Sequence, residues 1–107
     1  MQKKIQELQI LEQHLQAFQM EKQAVQAESQ EVSNALLELK KTNQDVFKIL
    51  SGIMLKADKE SLIKDLEGRK KLLDLRISAV EKQENLVDNK ASVLRAEINN
   101  SIGKQKN

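Results

Sequence analysis

From Leu8 onward the apolar residues fall alternately three and four apart: Leu8, Leu11, Leu15 and Phe18, then Val25, Val32, Leu36 and Leu39. A repeat averaging about 3.5 residues keeps one stripe in line on a helix that winds left-handedly around another. These residues therefore read as the a and d positions of a coiled-coil seam. Two a positions hold Lys22 and Ser29, which weakens the middle of the run. Polar a residues either set register at a cost in stability or are tolerated defects, and the sequence leaves both readings open. A second run repeats the pattern. Leu66, Leu73, Val80, Val87 and Leu94 recur at heptad spacing, Ile63, Ile77, Ala91 and Ile98 fill the companion positions, and Lys70 and Glu84 are the polar exceptions.

The spacing predicts one helix over residues 1–41 and another over 59–102. The polar stretch KKTNQD, from Lys40 to Asp45, closes the first. Asp58 is placed to cap the second, with Glu60 in its first turn to favour the helix dipole. Gly103 reads as its stop, just after Ile102. Helices of about 39 and about 43 residues span roughly 58 and 64 Å at 1.5 Å per residue. Near-equal lengths joined by a short connection predict an antiparallel pair with both termini at one end. Glu60–Lys64, Asp65–Arg69 and Glu67–Lys71 stand at i, i+4 and read as a solvated charged face.

Between the helices the pattern changes. VFKIL and IMLKA are β-favouring runs separated by Ser51-Gly52, the signature of a β-hairpin over 46–57. The competing reading, a helix continuing through Gly52, fits poorly with the glycine and with the clustering of Val46, Ile49 and Ile53. A lone two-stranded hairpin is marginal in water, and its edges invite pairing with another chain. The residues Val46, Phe47, Ile49, Leu50, Ile53, Met54 and Leu55 are thus expected to form an assembly element. Several copies sharing one closed barrel would remove the exposed edges. The expected fold class is mainly α: a long antiparallel coiled-coil helical hairpin joined by one β-hairpin that assembles into an oligomeric β-barrel, the whole of 1–107 being one domain.

Composition supports this picture. Of 107 residues 32% are charged and 2% aromatic, with no Pro, Cys, Trp or Tyr. Phe18 and Phe47 cannot by themselves anchor a globular interior, so long helices are favoured over a compact globule. The formal net charge is +2, yet acids and bases interleave, and the Lys104 and Lys106 tail is too short for a nucleic-acid arm. Without cysteine there is no disulfide framework and no thiolate metal or redox site. No segment approaches the roughly 18 apolar residues of a membrane span, and the N-terminus has no signal-peptide core. The expectation is a soluble, cytoplasmic protein.

Two coiled-coil arms joined by a single short hairpin resemble the β class of prefoldin subunits. FKILSGIMLKADKESL is similar to that family's hairpin: Phe47 and Lys48 match its aromatic-Lys pair, and Lys56 matches the Lys closing the second strand. LLDLRISAVEKQENLV is similar to its second arm. The family's turn glycine aligns with Ser51, whereas the glycine here is Gly52, so the turn type stays open. The resemblance implies an ATP-independent chaperone subunit in a hexamer of two α-type and four β-type subunits (α2β4). It implies hairpins sharing a double barrel, coiled-coil tips that capture unfolded polypeptides, and delivery to a group II chaperonin.

The residues offer a physical reason for binding at the tips. Ile5 and Ile10 fall outside the seam beside Leu8, Leu11 and Leu15, and Ile102 is off the seam beside Val93, Leu94 and Ile98. A two-helix end has little room to bury all of these. Surplus apolar surface gains about 25 cal/mol per Å² when a client covers it. Several arms acting on one chain strengthen a weak grip. The bland alternative is that these residues only widen the seam.

No enzymatic role is expected, with no cofactor and no metal. His14, the single histidine, sits at a flanking g position; no phosphate-binding glycine loop or His/Cys grouping occurs. Lys40-Lys41 and Arg69-Lys70-Lys71 are small basic patches without a stacking aromatic, so nucleic acid is not an expected partner, nor is a membrane. A coiled-coil scaffold or tether without holdase activity is the main alternative, but a hinge at 46–57 should be polar, and this segment is apolar.

Overall fold

The structure is a computed structural model that describes residues 2–105, with side chains to Gly103. Lys106, in the basic tail, lies outside the described residues. The chain order is α1 (Gln2–Lys41), β1 (Val46–Leu50), β2 (Ile53–Ala57) and α2 (Lys59–Gln105). This is the expected fold class at the level of the single chain. Helix α2 runs on through Gly103, which is therefore not its stop. A single glycine inside a helix costs only about 1 kcal/mol relative to Ala, too little to end it.

Both helix ends facing the hairpin are tied down locally. Asp58 caps α2: the Ser61 amide donates to its side chain at 3.2 Å and the Leu62 amide to its carbonyl at 2.9 Å. At the end of α1 the Thr42 amide donates to the Glu38 carbonyl at 3.0 Å, and Lys59 donates to the Thr42 carbonyl at 2.7 Å. The last bond joins the stop of one helix to the start of the other. Lys40 and Lys41 lie in the last turn of α1, where positive charge suits the helix dipole.

The chain divides into two compact units. One combines residues up to 24 with those from 77 onward; the other is Val25–Arg76. Each contains an antiparallel helix pair, since partner numbers fall along α2 as they rise along α1. In the terminal unit Lys4 pairs with Glu97 at 3.1 Å, Glu12 with Arg95 at 3.7 Å and Lys22 with Glu84 at 3.0 Å. In the hairpin unit the Ser29 hydroxyl donates to Asp74 at 3.1 Å, and Lys40 pairs with Glu67 at 3.7 Å.

The seam is the core in both units. Val32, Leu36 and Leu73 are buried together in the hairpin unit, with Val25, Ile63 and Leu66 packed against them. In the terminal unit Val80, Ala91 and Ile98 are buried. All of these are a or d positions, so the heptad pattern alone selects them. The polar seam positions are matched as well. Lys22 and Glu84 are each about one-sixth exposed at the side chain and meet each other, while Ser29 finds Asp74. Lys70 and Asp74 meet at i, i+4 at 3.6 Å, but Arg69 and Glu67 leave the i, i+4 partners expected for them. Arg69 reaches across to Glu28 and Glu67 to Lys40, so these charges fasten one helix to the other.

Candidate functional site

The hairpin follows from sequence with few alternatives. Five pairs run antiparallel from Val46↔Ala57 to Leu50↔Ile53, leaving Ser51 and Gly52 as a two-residue loop. Both loop residues have positive φ, 51° and 78°. That is the backbone of a type I′ turn, whose twist matches that of the strands. The shift of the glycine by one place thus keeps a tight turn and puts Ser51 in the left-handed region.

Alternation along the strands sorts the side chains to two faces. One carries Val46, Lys48, Leu50, Ile53, Leu55 and Ala57. The other carries Phe47, Ile49, Met54 and Lys56. Both faces are mainly apolar. An ordinary antiparallel sheet with one wetted side would show polar residues on that side. Yet Ile49 is 71% exposed and Met54 66%, and Phe47, Leu50, Ile53 and Leu55 are all exposed too, with Val46 half-buried. The charged exceptions are Lys48 at the centre of β1 and Lys56, which meets Asp45 at 3.5 Å at the start of the hairpin. Among the described residues, none covers either face.

The terminal unit gathers the second group of candidate residues. Ile5, Ile10, Val93 and Ile102 are exposed, while Leu8, Leu11, Leu15 and Leu94 are half-buried in the seam. Ile98 differs: at 8% exposure it packs inside the helix pair and presents no surface while the helices stay together. Leu11, Val93 and Leu94 line an open groove of about 450 Å³, edged by Glu7, Asn89 and Lys90. The arrangement is an apolar floor with charged margins, suited to holding a bulky side chain without fixing its identity. The seam pattern assigns no place to Leu37, Leu72 and Leu75 in the hairpin unit, or to Met20 and Leu86 in the terminal unit, all of them exposed. Their only sequence signal is that they are large, apolar and off the seam.

Comparison with known proteins accounts for this layout. The family profile described as "Prefoldin subunit" matches residues 2–105. The chain belongs to the prefoldin subunit family. Among curated relatives it is similar to the prefoldin subunit beta of Methanothrix thermoacetophila, 33% identical over 105 residues, covering 96% of this chain and 88% of that protein. It is also similar to the prefoldin subunit beta of Saccharolobus islandicus, 37% identical over 76 residues and 69% of this chain. The chain spans about 60% of the length of that relative. The crystal structure of the prefoldin beta subunit from Thermococcus strain KS-1 superposes with a TM-score of 0.87 at 28% identity, covering 94% of this chain and 90% of that one. The single hairpin between two long helices is thus shared with that prefoldin beta subunit over 94% of this chain. Among the described residues of this prefoldin-family chain, no helix is long and apolar enough to cross a membrane.

Proposed function

We propose that this prefoldin-family chain is a β-type subunit of an ATP-independent chaperone. The hairpins of several subunits close into a shared barrel, four copies joining two α-type subunits. The ends of the helices hold unfolded polypeptides and pass them to a group II chaperonin. The observation that carries this reading is the hairpin: two apolar faces and two open edges on ten strand residues, exposed in the single chain. Such a surface is stable in water only when other chains cover it.

The terminal unit supports the capture role. Ile5, Ile10, Val93 and Ile102 are exposed, the same unit carries a groove floored by Leu11, Val93 and Leu94, and charged margins keep an empty end soluble. Each arm grips weakly, and several arms on one client raise the effective concentration of contacts. The test is aggregation of a chemically unfolded protein diluted into buffer without nucleotide. The chain mixed with an α-type prefoldin subunit is expected to suppress light scattering in a dose-dependent way. Unchanged scattering at several-fold molar excess of complex over client would refute the chaperone role.

A further inference from the structure

We infer that Lys22 and Glu84 form a pairing-specificity element, one that selects α1 against α2 and rejects like-with-like pairing between copies. This goes beyond the chaperone reading and does not depend on it. The two residues lie on different helices, both at a positions, and meet at 3.0 Å in the terminal unit. Their side chains are 18% and 16% exposed, so the charges are largely withdrawn from water. The second carboxylate oxygen of Glu84 is buried with no partner. Two part-buried charges with one oxygen left over do not favour stability over a pair of leucines. What they add is discrimination.

The apolar seam positions discriminate poorly, because Leu, Val and Ile at a and d accept one another in many arrangements. Sliding α2 by a heptad sets Ile77 or Ala91, instead of Glu84, against Lys22, and leaves both charges part-buried and unpaired. Pairing α1 with α1 of another copy in parallel register sets Lys22 against Lys22. Pairing α2 with α2 sets Glu84 against Glu84. Every such alternative is penalised by partly burying a lone or repelled charge, and only α1 against α2 in the native register satisfies both. Within one chain the short link from Lys41 to Lys59 already restrains sliding. The element therefore acts chiefly when several copies are held close together and their helices compete at similar effective concentrations.

The chain has no cysteine, so a reporter pair can be introduced cleanly. Lys4 and Glu97 meet at 3.1 Å in the same unit, and K4C/E97C places two thiols within reach of a short bismaleimide. Cross-linked products of the full chain, raised to high concentration, are then sorted on a denaturing gel into within-chain and between-chain species. In this background the native seam and the charge-swapped K22E/E84K are expected to give mainly the within-chain product. The apolar K22L/E84L, at equal or higher melting temperature, is expected to show a severalfold larger between-chain share. K22Q/E84Q, which removes the charges at nearly constant volume, repeats that readout should the leucine variant precipitate. Equal product ratios for native, neutral and swapped seams would overturn the inference.

Discussion

Leu50 faces Ile53 as the last cross-strand pair of the hairpin, and the turn between them holds two consecutive residues in the left-handed region. Gly52, at φ 78°, accepts this without penalty; Ser51, at φ 51°, does not. A residue that tolerates positive φ should relieve Ser51. Ser51→Asn is expected to raise stability by about 0.5–1 kcal/mol, because Asn-Gly is the favoured type I′ pair. Gly52→Ala is expected to lower it by about 1 kcal/mol or more, and the loss is conformational, since a Cβ at Gly52 meets no atom within 4 Å. Urea unfolding of the full chain measures both.

Neighbouring leucines on α2 should behave oppositely. Leu73 is 6% exposed and belongs to the Val32–Leu36 core, whereas Leu72 stands on the outer face. Leu73→Ala is expected to cost about 2–5 kcal/mol through lost burial and an unfilled cavity. Leu72→Ala should stay within about 0.5 kcal/mol of the parent. Thermal melts of the two variants, run side by side, check the seam assignment.

Charge placed on one hairpin face should disconnect assembly from helix formation. Ile49 and Met54 are cross-strand partners and both are exposed in the single chain. I49K/M54E keeps a favourable cross-strand pair while making that face unfit for burial. Helical circular dichroism should be retained and association with an α-type subunit lost. Size-exclusion chromatography with in-line light scattering reads the second outcome.

The terminal unit offers a separable test. Polar substitution of Ile5, Ile10 and Ile102 together should impair aggregation suppression several-fold while leaving the mass of the assembled complex unchanged. All three are exposed, so the helix pair loses little by their replacement. Unchanged suppression would assign client contact elsewhere. Ile98 makes the complementary control: it is buried, and its replacement is expected to act through stability instead.

The fold was legible because two periods, seven along the helices and two along the strands, are written in side chains that burial depends on. Val32, Leu36, Leu73 and Val80 are buried where the heptads place them. What local pattern could not supply was pairing. Lys22 and Glu84 each read as a flaw in a separate run, and only the antiparallel fold brings them together across 62 residues. Arg69 was in reach of Asp65 along its own helix, but it engages Glu28 on the other. Gly103 was misleading because glycine stops a helix by turning left-handed, and the backbone there remains helical. The candidate client surface was legible only in part. Ile98 shares the apolar character of Ile102, and the difference between them is which side of the helix faces the partner.

The central claim is that the apolar hairpin of this prefoldin-family chain is completed by other subunits. Native mass spectrometry of the chain mixed with an α-type prefoldin subunit tests it most directly. A dominant six-chain species holding four copies of this chain, dissolved by I49K/M54E, is the expected result. Persistence of the free chain as a monomer or helical dimer in the presence of the α-type subunit would contradict the account.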